Sequence, residues 1–255
     1  MFSYREKIGD AELFMTDRYG GVSNDSFSSL NLGYYSNDDP TLVIKNRQLV
    51  CDALSIPLSH FFIPKEVHGS EIQWIDASVV KANEGASNDL VCDALITTLP
   101  RVCVGVTTAD CVPVLMYDHN SRVVAAVHAG WKGVVNEIVP KTISGIKNKL
   151  NIGPEQLNVK IMSCISLEKF EVGDEVATLF ESKFENSSYP IVDRTHYEKP
   201  HVNLRQAVKW QALSCGVLET NIEVSKECTH SEEKYFSARR DGFSSGRMVS
   251  GIMKL

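Results

Sequence analysis

Three segments of the 255-residue chain end an apolar, strand-like run in a side chain able to ligate a metal or attack an electrophile. They are KEVHG (65–69), TADCVPV (108–114) and AVHAGWKG (126–133). Glycine or small residues flank each one, which lets the backbone turn and lets a ligand come close. The imidazoles of His68 and His128 and the thiol of Cys111 form a donor set suited to Zn²⁺. Three protein ligands leave one tetrahedral position for water or substrate, the form a catalytic zinc site takes. Asp110, beside Cys111, is placed to orient a histidine or to move a proton. The same residues permit other readings. A Cys/His pair also works as nucleophile and base without metal. A fourth protein ligand would make the zinc a structural staple. Buried reduced cysteines and strand-end histidines are also common as plain packing or hydrogen-bonding groups.

The elements that must position these side chains follow from periodicity. VPVLMYD (112–118) and RVVAAVH (122–128) flank His119-Asn120-Ser121, which predicts an antiparallel hairpin. Facing residue numbers then sum to about 240, which puts Cys111 near the level of His128 at the end away from the turn. FFIPKEVH (61–68) and EIQWID (71–76) read as strands around a hairpin-like turn at Gly69-Ser70. AELFMTDR (11–18), DALITT (93–98), VCVGVTT (102–108), LNVKIMS (157–163), IEVSKEC (222–228) and MVSGIMKL (248–255) are further strands. Asp39 and Pro40 read as the cap and first residue of a helix carrying Val43, Ile44, Arg47, Val50 and Leu54. A second helix is expected after Gly133, kinked or started late by Pro140. Two more are expected over 171–184 and from Asn203, as cap, to about Cys215. GGVSNDSFSSLNLG (20–33) and NEGASND (83–89) read as loops. Strands interrupted irregularly by helices indicate α+β architecture with mixed sheets, in one continuous domain over 1–255.

Composition narrows the function. A net charge of −6 without any basic run argues against nucleic acid as the main ligand. No apolar run approaches the ~18 residues that span a bilayer, and the N-terminal MFSYREKIGDAELFM has no signal-peptide pattern. A cytoplasmic protein with no membrane association is expected. Its seven cysteines, odd in number and irregularly spaced, are expected to be reduced.

Several motifs in order make the chain resemble a known family. They are TDRYGGVS (16–23), SLNLG (29–33), KNRQLV (45–50), VHG (67–69), CDALIT (92–97), TADCVPVL (108–115), VHAGWKG (127–133), FEVGDEV (170–176), FSARRDG (236–242) and SGRM (245–248). The chain is similar to the multicopper polyphenol oxidase (laccase-domain) / purine nucleoside phosphorylase family, which also includes peptidoglycan editing factors. The resemblance implies a single α/β domain, a mixed β-sandwich flanked by helices. It also implies zinc held by His68, Cys111 and His128. The implied activities are phosphorolysis of adenosine, inosine, guanosine and methylthioadenosine, with adenosine deamination. Two alternatives come with the family: a cysteine hydrolase-type enzyme that edits peptidoglycan precursors, and a copper-dependent polyphenol oxidase (laccase). Glu66 stands where the family commonly has Gln, and Ser163-Cys164-Ile165 differs from the usual loop sequence. Both departures bear on substrate preference.

Each activity makes its own demand on the residues. Phosphorolysis needs phosphate beside C1′ of the ribose, a task for arginine forks. Arg18, Arg47, Arg239 and Arg240 lie within the motifs. Asn31, Arg47 and Arg239 are the expected substrate contacts, and Cys111 and Asp110 the expected catalytic residues, with Asp110 as acid to purine N7. Deamination would use a metal-activated water at C6. Multicopper oxidation needs histidines in H-x-H arrangements, and none of the seven histidines forms one, so Cu²⁺ is expected at most as an occupant of the zinc-type site. The expected ligands are a purine nucleoside and phosphate, bound by a monomer or homodimer.

Overall fold

The computed structural model describes residues 1–83, 90–120 and 122–255. In chain order the elements are β1 (Phe2–Ile8), β2 (Ala11–Thr16), α1 (Pro40–Leu54), β3 (Phe61–Phe62), β4 (Ile72–Ile75), α2 (Ala77–Ala82), β5 (Ala94–Thr97), β6 (Cys103–Thr108), β7 (Val112–Asp118) and β8 (Val124–Ala129). They continue with α3 (Trp131–Val135), α4 (Ile138–Leu150), β9 (Leu157–Ile161), α5 (Asp174–Lys183), β10 (Val192–Asp193), β11 (His201–Val202), α6 (Leu204–Ser214), β12 (Ile222–Val224), α7 (Ala238–Asp241) and β13 (Met248–Lys254). No helix among the described residues is long and apolar enough to cross a membrane.

Two mixed sheets face one another. One has the order β1-β2-β13-β6-β3, the other β12-β9-β7-β8-β5-β4. Period-two alternation sorts the side chains into layers. Leu13 and Met15 of β2 meet Leu95, Leu115, Val124 and Ala126 of the second sheet in the core between the sheets. Phe14, Cys103 and Val249 point the other way, onto Val50 and Leu54 of α1. Val112, Val114, Ala125 and Val127 pack under Val139 and Ile143 of α4 and Val208 of α6. The result is the mixed β-sandwich flanked by helices that the resemblance implies. Every residue of β8 is buried, so the strand that carries His128 is held on both faces.

Local chemistry explains the helix bounds. Asp39 caps α1 by accepting from the Thr41 amide at 2.8 Å, with Pro40 in the first helical position. Asn203 caps α6 through the Gln206 amide. The helix expected after Gly133 begins earlier, at Trp131, and breaks at Glu137, whose φ of 62° is left-handed. Pro140 falls in the first turn of α4, where its missing N–H costs nothing, so it kinks nothing.

The β7–β8 hairpin has the expected direction, with Val112 opposite Ala129 and Pro113 opposite His128. Of its expected turn, Ser121 lies outside the described residues, as do residues 84–89 of the expected 83–89 loop. The hairpin expected over 61–76 does not form. β3 pairs in parallel with β6 in the first sheet, and β4 pairs in parallel with β5 in the second. The KEVHG segment therefore crosses from one sheet to the other. A buried carboxylate drives the turn: Asp93 accepts from the amides of Val67 (3.4 Å), His68 (2.9 Å) and Gly69 (2.7 Å).

Candidate active site

His128 continues the face of β8 that Val124 and Ala126 present to the core between the sheets, and it lies where that core opens. The antiparallel ladder of β5 and β8 pairs Ala94 with Val127, so its next pair is Asp93 with His128. The His128 amide donates to the Asp93 carbonyl at 2.7 Å. On the same face His128 Nδ1 lies 2.8 Å from Asp93 Oδ1. A proton on Nδ1 donated to this carboxylate leaves Nε2 as the lone-pair side of the ring, the usual second contact of a ligating histidine. Asp93 is fully buried, and burial alone would push its carboxyl up. The His128 hydrogen bond and charge, with the Gly69 and Val67 amides, outweigh burial and hold it below the usual range.

Cys111 enters at the start of β7, and His68 arrives on the crossing segment with a left-handed φ of 58°. Cys111 Sγ is 3.9 Å from His68 Nε2, and the two imidazoles meet edge to face with centroids 4.8 Å apart. One ligand atom from each of His68, Cys111 and His128 lies within 4.8 Å of the other two, and no fourth His, Cys, Asp or Glu joins them among the described residues. Burial raises the Cys111 thiol, but the His128 charge and hydrogen bonds from both histidines bring it down to about 6. Burial likewise opposes charge on His128, yet the Cys111 thiolate and the Asp93 hydrogen bond carry it up to about 10. Thiol and ring thus each favour the charged form of the other. A soft cation would displace the proton from such a donor set.

Gly130 shows how tightly the cluster is framed. A Cβ there would stand 3.0 Å from His68 Cδ2, 3.2 Å from Cys111 Sγ and 3.5 Å from His128 Cε1. Gly130→Ala is therefore expected to lower metal affinity about tenfold or more, through displaced ligands of the kind that costs 10–100-fold when outer partners are lost. Metal titration of the purified variant measures this. Its melting temperature should move little, because the glycine φ of −70° suits alanine.

The cluster opens into a cavity of about 720 Å³, within the range of small-molecule sites. Tyr34, Tyr35, Arg47 and Arg247 line part of it, and Trp131, Phe170, Val172 and Leu204 another part. Arg47 and Arg239 line it too. Arg47 donates from Nε and Nη2 to the Leu32 carbonyl, and Arg239 donates to the Lys169 and Glu171 carbonyls while covering the Phe170 ring. Arg18 and Arg240 line a separate, smaller pocket and both pair with Asp241.

Asn31 is not among the lining residues. It is fully buried: its amide nitrogen donates to Ser36 and Asp38, and its oxygen accepts from the Gly33 and Arg247 amides. Asp110 lines the cavity but orients neither histidine. Its left-handed backbone, φ 97°, aims the carboxylate at Thr229 Oγ1 (2.7 Å), Ser237 Oγ (2.9 Å) and the Arg239 amide (2.7 Å). The orienting carboxylate is Asp93 instead. The sequence carried one signal for it, a place in the CDALIT motif just before a strand.

Glu66, the departure expected to bear on substrate preference, lines the cavity, and so does Arg247, a residue of the SGRM motif to which no role was given. Glu66 accepts from the Thr107 amide at 2.6 Å and from Thr107 Oγ1 at 2.8 Å. Burial pushes its carboxyl up, against the nearby His128 charge and the Thr107 hydrogen bonds.

A family model described as multi-copper polyphenol oxidoreductase laccase matches residues 12–254. A purine nucleoside phosphorylase of Bacteroides thetaiotaomicron is 35% identical over 243 residues, covering 94% of this chain and 90% of that protein. Adenosine deaminase RL5, from an unknown prokaryotic organism, is 30% identical over 256 residues, covering 98% and 97%. Among solved structures, YlmD from Geobacillus stearothermophilus superposes with a TM-score of 0.90 at 30% identity, over 96% of this chain and 92% of that one.

Proposed function

Because the chain belongs to the multi-copper polyphenol oxidoreductase laccase family, we propose that it is a zinc-dependent purine nucleoside phosphorylase. In this reading it acts on adenosine, inosine, guanosine and methylthioadenosine and also deaminates adenosine. The observation that carries the reading is the three-donor cluster of His68, Cys111 and His128 in the lining of a nucleoside-sized cavity. The donors fit the ion: two imidazoles and one thiolate suit Zn²⁺, one ring is fixed by a buried carboxylate, and Gly130 leaves room that a side chain would fill. Cu²⁺ would be accepted by the same donors, but a histidine-rich second copper cluster has no counterpart among the described residues. A bound divalent ion supplies Lewis acidity next to the substrate.

The remaining work falls to the chain. Phosphorolysis forms a bond from a phosphate oxygen to C1′ as the C1′–N9 pair leaves with the purine, which takes up a proton. Trp131 and Phe170 offer aromatic surface for the base, Arg47 offers a donor to the phosphate, and Arg239 offers donors to the polar groups of the nucleoside. Asp110, accepting three hydrogen bonds, acts as a positioning residue that ties Cys111 to the start of α7. Asn31 acts in the same way on the loop before Tyr34. Deamination needs C6 rather than C1′ at the cluster, so one cavity serves two poses of one nucleoside. Seven cysteines without a disulfide suit the reducing cytoplasm.

One observation favours a second reading, the cysteine hydrolase that edits peptidoglycan precursors. Asp93, His128 and Cys111 stand in the order orienter, base and nucleophile. The deciding experiment incubates purified protein with adenosine, with and without phosphate, and separates the products. Phosphate-dependent adenine and ribose 1-phosphate are expected, with inosine from deamination, and a chelator should suppress both. No product from any purine nucleoside would end the phosphorylase reading.

A further inference from the structure

We propose that Arg47 and Arg247, not Arg239, form the seat for inorganic phosphate, built on the Asn31–Gly33 segment. The inference rests on the phosphorylase reading for its physiological meaning but not for its physical test. Three arginines line the cavity: Arg47, Arg239 and Arg247. No ion pair among the described residues includes any of them. For Arg239 this has an ordinary explanation, because it is exposed and water solvates its charge. Arg47 and Arg247 are partly buried, and burial lowers the affinity of both guanidinium groups for their proton. A partly desolvated cation without a counter-ion is costly unless an anion arrives.

The local build supports a shared seat. Arg47 spends Nε and Nη2 on one carbonyl, that of Leu32, which leaves Nη1 uncommitted. Arg247 spends Nη1 and Nη2 on the carbonyls of Ser245, Gly246 and Phe243, which leaves Nε uncommitted. Those bonds hold both forks rigid, so little rotamer entropy remains to be lost on binding. Both side chains pack on one three-residue segment. A Cβ on Gly33 would stand 2.6 Å from Arg247 Cγ, so only glycine lets that side chain pass. Leu32 donates its amide to the Arg247 carbonyl, and Asn31 accepts from the Arg247 amide. Glu66, the acidic side chain whose charge both arginines sense, is held through both its oxygens by Thr107 and closes a salt bridge with neither. Arg247 also senses the Cys111 charge, which puts this seat beside the cluster. Fork-shaped, partly buried cations with free N–H groups suit a tetrahedral oxyanion.

The test titrates inorganic phosphate into wild type and into Arg47→Gln, Arg247→Gln and Arg239→Gln by calorimetry. The Kd for phosphate should rise about tenfold to a hundredfold in the first two variants, the loss expected for a charge-assisted hydrogen bond, and stay within about twofold in the third. In steady-state assays the KM for phosphate should rise with it while the KM for nucleoside holds. Unchanged phosphate affinity in Arg247→Gln, or loss confined to Arg239→Gln, overturns the proposal. If wild type binds phosphate through these arginines but cleaves no nucleoside, the phosphorylase reading fails and the seat stands. Arginine modification of wild type by phenylglyoxal guards against misfolded variants. Phosphate should protect Arg47 and Arg247 in peptide maps, and protection of Arg239 alone overturns the assignment.

Discussion

Cys111→Ala is expected to cut kcat/KM for nucleoside phosphorolysis about 10³-fold or more and to leave the protein with substoichiometric metal. Losing an outer partner of a metal ligand costs 10–100-fold, and losing one of only three ligands must exceed that. The substitution removes the one anionic donor of the cluster and leaves two imidazoles. The fold should survive, because Cys111 sits at the partly exposed end of β7 and outside the three apolar cores. Kinetics and elemental analysis of the same preparation measure both effects. Stoichiometric metal retained in Cys111→Ala would sink the three-ligand site. Inactivation with metal retained would instead favour the thiol as nucleophile.

Asp93→Asn separates these readings by magnitude. If Asp93 only fixes the ring of a ligating histidine, activity should fall about 10–100-fold. If His128 is the base of a cysteine nucleophile, the wrong tautomer should cost about 10⁴-fold. Stability should fall too, by about 1.5–3 kcal/mol, because the carboxylate accepts charge-assisted hydrogen bonds from His128 and from the amides at 67–69. A denaturation midpoint reads the second effect independently of the first. A variant with wild-type activity would remove Asp93 from both mechanisms.

What the sequence revealed was mostly local. Asp39-Pro40 fixed the start of α1, since cap and first residue are adjacent. The β7–β8 hairpin was legible because a short turn sets its register. Residue numbers sum to 241, one from the expected 240, so Cys111 and His128 were neighbours on paper. His68 and Asp93 were harder to place. The segment 61–76 has the look of a hairpin, yet its halves join different sheets, and no local signal encodes a crossing stabilised by a carboxylate some 25 residues away. Asp93 faces His128 through a ladder between strands far apart in sequence, whose register no turn fixes. Asp110 drew attention by adjacency to Cys111, but its left-handed backbone turns the carboxylate to Thr229, Ser237 and the Arg239 amide. Arg247 shares a cavity with Arg47 from the other end of the chain, a proximity only tertiary structure can create.

The crossing of KEVHG between the sheets also sets an order of assembly. Cys111 and His128 share a hairpin, whose loop closes quickly and at small entropic cost. His68 comes from 43 residues before Cys111, on a segment that reaches them once β4 has paired beside β5 and Asp93 has taken the amides at 68 and 69. A chain that has formed the hairpin but not the β4–β5 pairing therefore offers two donors. Full metal affinity, measured during refolding, would report the completion of the second sheet, and a nascent or damaged chain would be distinguished from a finished one by the ion it cannot hold.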